Sequence, residues 1–210
     1  MHDVVLLVSF FVSGISALVY QVSWQRGLYV VIGVDMDSVT IIVSVFMLGI
    51  GLGGMLGGLL SDGSPKLRVY WYAGAELSIA IYGFFSLGLL GFLGDLLTVS
   101  GGGVGMSALA CMAFLLLPAA LMGMTLPLLT MALNERRGSV GVSVGLLYFL
   151  NTMGAALGAG LVPFVLLPNF TLGQTVGWAV AGNFAVAILV VSFYLVDSRP
   201  SAAVRSVSEG

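Results

Sequence analysis

The sequence predicts an all-α integral membrane bundle of six transmembrane helices, and three observations carry that expectation. Hydrophobic residues make up 59% of the 210-residue chain and charged residues only 8%, where a soluble domain carries about a quarter charged residues. With a mean hydropathy of +1.12, the chain cannot have water as its main solvent. A helix that crosses a bilayer needs roughly 20 apolar residues, so six spans with short connections use nearly all of this length. Finally, the positive charges alternate. Lys66 and Arg68, Arg136 and Arg137, and Arg199 and Arg205 close the second, fourth and sixth apolar runs, leaving only Arg26 elsewhere. Lys and Arg concentrate in cytoplasmic loops, so a multi-pass protein with both termini in the cytoplasm is expected.

The expected spans are 4–32, 38–61, 70–94, 105–133, 140–166 and 172–196. Residues 62–69 and 134–139 would be cytoplasmic connections, with 33–37, 95–104 and 167–171 outside. The first run lacks a basic leading segment and has its own polar pattern, so it reads as a retained helix rather than a cleaved signal. The second ends in two glycine ridges, Gly49, Gly53 and Gly57 beside Gly54 and Gly58, and Gly154 and Gly158 repeat the spacing in the fifth. In lipid such ridges allow close helix contact, either inside the bundle or between two copies. Pro118 and Pro127 in the fourth span and Pro163 in the fifth remove backbone hydrogen bonds and are expected to kink or loosen those helices. The six spans form one domain, 1–196, and the polar stretch 197–210 reads as a cytoplasmic tail or linker.

Several chemistries are excluded. The net charge of −2 gives no basic face for nucleic acid. His2 is the only histidine and Cys111 the only cysteine, which leaves no His-ligated metal site, no His-dependent triad and no internal disulfide. Ser16 lacks the second glycine of a nucleophile elbow, because Leu18 follows Ala17. The run from Gly101 to Gly105 follows no soluble strand and reads as a flexible connection rather than a phosphate cradle. No catalytic residue is assigned.

The polar residues inside the spans form the candidate ligand site. At 100° per residue, Ser9, Ser13, Ser16, Ala17, Tyr20 and Trp24 share a narrow arc of the first helix with Gln21 at its edge. Such a stripe either lines a cavity for a polar or cationic ligand or bonds to neighbouring helices. Arg26 points away from it, free to snorkel. Glu76 is the costliest residue in the sequence, a carboxyl within the third span that serves as a proton carrier, a cation's counter-ion or a structural acid. In the fifth span Tyr148, Asn151, Thr152, Ala155 and Ala159 share a face, making Asn151 a second polar group in need of a partner.

These stretches resemble a known pattern. SGISALVYQVSWQR from Ser13 to Arg26, FMLGIGLGGMLGG from Phe46 to Gly58, AELSIAIYG from Ala75 to Gly83, LLLPAALMGMTLPLL from Leu115 to Leu129 and LLYFLNTMGAALGA from Leu146 to Ala159 look like the ordered motifs of the membrane portion of bacterial fused spermidine synthase-like proteins. GLLSDGSPKLR, from Gly58 to Arg68, is similar to the loop after the second helix of major facilitator transporters, with Gly58, Asp62, Lys66 and Arg68 in the matching roles. It departs from that pattern at Gly63, where a basic residue is missing. The resemblance implies half of a major facilitator-like fold. It also implies a cytosolic aminopropyltransferase-like domain using decarboxylated S-adenosylmethionine, for which these residues hold no α/β pattern, glycine-rich loop or acidic amine-binding cluster. The expected function is binding, and in the full protein transport, of a small organic cation or polyamine-type amine through Ser13, Ser16, Tyr20, Gln21, Trp24, Glu76 and Asn151. Membrane lipids, a synthase-like domain and a second copy of the chain are the expected partners. The alternatives are an inert anchor for a cytosolic enzyme and a bundle that presents a lipid to one.

Overall fold

The computed structural model describes residues 2–101 and 103–197, so the expected tail with Arg199 and Arg205 lies outside the described residues. In hydrocarbon the backbone must satisfy its own hydrogen bonds, which makes helices the natural outcome of such apolar runs. The elements are α1 (His2–Ile32), α2 (Met36–Leu60), α3 (Pro65–Ser100), α4 (Val104–Arg137), α5 (Val140–Leu161), a π-helical turn (Val162–Leu166), α6 (Leu167–Asn169) and α7 (Leu172–Asp197). There is no strand among the described residues. Six segments are long and apolar enough to cross a membrane, the fifth combining α5, the turn and α6.

The helix ends differ from the sequence expectation in a consistent direction. Residues 95–100, expected in an outer loop, continue α3, because Leu90, Leu93 and Leu97 extend its buried face. Helix α4 likewise continues to Arg137. Gly101 and Gly138, with φ of 75° and 66°, close these helices in the left-handed conformation, which glycine adopts without a Cβ penalty. Asp35 and Ser139 cap α2 and α5, accepting from the Ser38 and Val142 amides at 2.7 and 3.4 Å. The prolines act unequally: α4 stays helical through Pro118 and Pro127, whereas Pro163 lies in the π-helical turn, where Leu167 N–H reaches back to the Val162 carbonyl.

Packing is built on glycine. A Cβ on Gly53 would strike the Ala120 backbone of α4, one on Gly57 the Met124 backbone, and one on Gly123 the Ile50 backbone of α2. The α1–α5 pair repeats this arrangement: Gly154 lies over the Phe11 backbone, Gly158 over Ile15, and Gly14 over Asn151. One register step carries α1 onto α4, and another carries α2 onto α5, through all three contacts. Helix α3 packs on α4 as α7 packs on α1, and α3 and α7 pack on each other. The chain is thus an internal repeat of three spans, and an odd number of spans per repeat makes the two units enter a bilayer from opposite sides.

Candidate functional site

The first-span stripe faces inward as its periodicity requires. Ser9, Ser13, Ser16, Tyr20 and Trp24 are all buried, Gln21 is half-buried and Arg26 is exposed. Trp24 is the hub of an aromatic cluster. It stacks on Tyr20 with ring centroids 4.7 Å apart and meets Tyr82 and Phe114 edge-on at 5.7 Å each. Its indole N–H donates to Ser86 Oγ at 3.0 Å, and Ser86 donates onward to the Gly83 carbonyl at 2.7 Å. Gly83 also lets Tyr20 in, since a Cβ there would overlap the phenol ring. The Tyr82 hydroxyl donates to the Phe114 carbonyl.

Glu76 is fully buried one helix away, and Ser13 Oγ donates to its Oε1 at 2.6 Å. Its second oxygen has no hydrogen-bond partner among the described residues, nor do the buried hydroxyls of Tyr20 and Tyr72, although the Tyr72 hydroxyl lies beside both Glu76 and Ser13. Two apolar clusters bracket this level of the bundle. One joins Val19, Tyr20, Ile79, Ala80, Ala179 and Val180, and the other joins Phe10, Tyr72, Ala73 and Val186. Ser13 and Glu76 join α1 to α3 between these clusters, and Asn183 is buried on α7, where Gly182 beside it packs on Ser16. Asn183 is 2% exposed, with its Oδ1 unpartnered among the described residues.

Of the expected site residues, Ser13 of α1 and Glu76 of α3 are brought together, and Asn151 of α5 lies on another side of α1, against Gly14. Helix α5 packs on α1 and α4, whereas α7 packs on α3 and α1. Asn151 is half-buried against the Gly14 backbone, and Tyr148 and Thr152 on the same face are exposed. No described hydrogen bond joins Asn151 to Glu76. The physical reason is that Gly154 and Gly158 turn the small face of α5 onto α1, which seats Asn151 on Gly14 and leaves Tyr148 and Thr152 outward. Asn183, Tyr72 and Ser86 were missed. Asn183 had a readable signal, as an amide in the middle of the apolar sixth span, but only packing places α7 against both α1 and α3.

The loop motif divides. Arg68 is buried, donates from Nε to the Ser61 carbonyl at the end of α2, and pairs with Glu135 at the end of α4. Asp62 and Lys66 are exposed, and a Cβ on Gly58 would meet nothing within 4 Å. Arg137 pairs with Asp3 at 3.3 Å, so the basic residues on α3 and α4 gather at the end of the bundle that also holds the start of α1. The opposite end holds a cavity of about 340 Å³ lined by Asp35, Asp37, Ser38, Thr98 and Ser107 among others. There the Ser38 amide holds the Asp35 carboxyl below its ordinary range. The carboxylate is retained by that bond and loses it as pH falls through the lowered value. Between α3 and α7 runs an apolar lateral groove of about 420 Å³ lined by Tyr70, Ala73, Gly74, Leu77, Ala187 and Ile188 among others.

Comparison of the chain with family models, curated proteins and solved structures gave no match.

Proposed function

We propose that this chain is the membrane domain of a spermidine synthase-like protein, binding and in the full protein transporting a small organic cation or polyamine-type amine at the α1–α3–α7 junction. One observation carries the reading: a fully buried Glu76 carboxyl, half satisfied by Ser13, with its other oxygen unpartnered among the described residues. A carboxylate inside a membrane bundle must be protonated or matched by a cation, and an ammonium group supplies both the charge and the donors that Oε2 lacks. The inverted three-span repeat supports a half-transporter architecture of the major facilitator kind, because such repeats recur in transporter folds. Gathering of Arg68 and Arg137 at one end supports cytoplasmic termini in a bacterial inner membrane.

The test is thermal unfolding of the purified chain against a panel of polyamines, other organic cations and lysolipids, with Glu76→Gln in parallel. The expected outcome is a cation that raises the melting temperature of the wild type and not of the variant. Stabilisation by no cation, or equal stabilisation of both proteins, would remove the cation site. The lateral groove between α3 and α7 favours a second reading, presentation of a lipid to a cytosolic enzyme. Stabilisation by lysolipids alone is its signature. No stabilisation by any compound would leave a packed anchor for that enzyme, a role suited to the complete burial of Glu76.

A further inference from the structure

Buried hydroxyls elsewhere in the spans close on their own helix: Ser86 donates to the Gly83 carbonyl, Thr125 to Met122 and Ser143 to Ser139. The seam between α1 and α7 behaves differently. A Cβ on Gly182 would strike Ser16 Oγ and one on Gly27 would meet Leu172, so α7 runs antiparallel to α1, which brings Thr175 level with Ser23 and Asn183 level with Ser16. Ser9, Ser16 and Ser23 recur every seven residues on α1, as Thr175 and Gly182 do on α7, and that spacing keeps each set on one helix face. Yet the hydroxyls of Ser9, Ser23 and Thr175 and the Oδ1 of Asn183, on residues no more than 2% exposed, have no hydrogen-bond partner among the described residues. Helix α7 also sits loosely on α3. A groove of about 580 Å³ lined by Gly83, Leu87, Gly173, Val176 and Val180 among others lies between them beside Thr175.

We propose that this seam is the route by which water reaches Glu76, opened when α7 parts from α1 at the end of the bundle away from Arg68 and Arg137. Polar groups buried without partners destabilise the closed seam and are satisfied once water enters, so opening costs less here than between apolar faces. Glu76 is fully buried, and any exchange of a proton or a ligand with solvent needs such a route. The α1–α5 interface does not suit it, because Gly14, Gly154 and Gly158 hold those two helices in direct backbone contact. Thr175 lies about one turn from the start of α7 at Leu172 and, at 1.5 Å per residue, about 12 Å from the level of Asn183. Tyr20, whose hydroxyl also has no partner among the described residues, lies between these levels on α1. Ser16 is then one turn from Ser13 and its bond to Glu76, whose titratable neighbours are the Tyr72 and Tyr20 phenols. The route for water does not depend on which ligand Glu76 binds.

The experiment uses the full chain in native membranes with its only cysteine replaced, Cys111→Ala, and a single cysteine introduced as Thr175→Cys, Asn183→Cys or, two turns further along α7 in the apolar cluster, Val190→Cys. A charged methanethiosulfonate, which reacts from water and not from lipid, is expected to label positions 175 and 183 at least about tenfold faster than position 190, as local opening of one seam requires. Ser16→Cys reports the level of Asn183 from α1 where Asn183→Cys does not fold. Ser23→Ala combined with Thr175→Val removes hydroxyls that make no bond in the closed seam. It is expected to leave the melting temperature no lower than wild type while slowing labelling at position 183 or 16 several-fold. Equal rates at positions 175, 183 and 190, no labelling at positions 183 and 16, or a lowered melting temperature in the double variant would overturn the proposal. Failure of every cation to stabilise the chain would remove the amine site instead and leave these labelling rates as they are.

Discussion

Helices α1 and α4 occupy equivalent places in the repeat yet carry opposite chemistry. Each receives two glycines from a partner helix and gives one glycine back, Gly14 to α5 and Gly123 to α2. In that same register Ser13, Ser16, Tyr20 and Trp24 of α1 correspond to Met122, Thr125, Leu129 and Leu133 of α4. Leu129 and Leu133 are fully buried, and Thr125 spends its hydroxyl on the Met122 carbonyl at 2.7 Å. The polar stripe is thus no requirement of the scaffold, because its counterpart packs without one. Small residues hold both halves together by backbone approach, and only the first half adds a buried carboxyl oxygen and buried phenols without a hydrogen-bond partner among the described residues.

The comparison can be broken most forcefully at the glycines. Gly53→Leu and Gly154→Leu each place a side chain where a partner backbone lies. Both are expected to cost about 3 kcal/mol, at the top of the usual range for overpacking. The readout is loss of monodisperse protein in detergent, and a large effect at only one of the two sites would refute equivalence of the contacts. Next is Arg68→Ala, which frees the Ser61 carbonyl and leaves Glu135 without its ion pair. A loss of about 2 kcal/mol is expected in denaturant unfolding, in line with hydrogen bonds to charged groups. Trp24→Phe keeps the aromatic packing and removes the bond to Ser86. It should cost about 1 kcal/mol, and a neutral result would show that Ser86 is satisfied by Gly83 alone.

The smallest effects on stability sharpen the contrast further. Tyr20→Phe deletes a hydroxyl that has no partner among the described residues, so the melting temperature should stay within about 0.5 kcal/mol equivalent of wild type. Cation stabilisation, where it is found, should weaken. A clear loss of stability would instead mean that this hydroxyl is engaged in the fold. Gly58→Ala, where a Cβ meets nothing, should likewise be neutral within about 0.5 kcal/mol. Together with Gly53→Leu it separates the glycines of α2 that touch α4 from those that do not.

Much of this architecture was legible from residue order. Hydropathy placed six spans, and the arc of Ser13, Ser16, Tyr20 and Trp24 named the buried face of α1 correctly, because a 3.6-residue period leaves polar groups little choice of side. The ends of α3 and α4 were less legible. Asp95 and Asn134 looked like loop residues, yet each helix continues past its most apolar window, with Asp95 exposed and Asn134 half-buried. The glycine ridges announced close contact without naming partners. Which span joins α1 and α3 was illegible for the same reason, since packing alone puts α7 on both and α5 on α1 and α4.

The sequence by itself determined that the chain is helical and membrane-embedded, with its basic residues toward one end, because these follow from the cost of placing backbone amides and charges in hydrocarbon. Only the tertiary structure decided which helices meet. It alone revealed the repeat relating Gly53 and Gly57 to Gly154 and Gly158, the bond of Ser13 to Glu76, and the seating of Asn151 on Gly14 of α1. Hydropathy is a property of each span, whereas contact between spans depends on how two surfaces fit. Lipid tails are as apolar as the side chains they replace, so shape and polar complementarity select the partner.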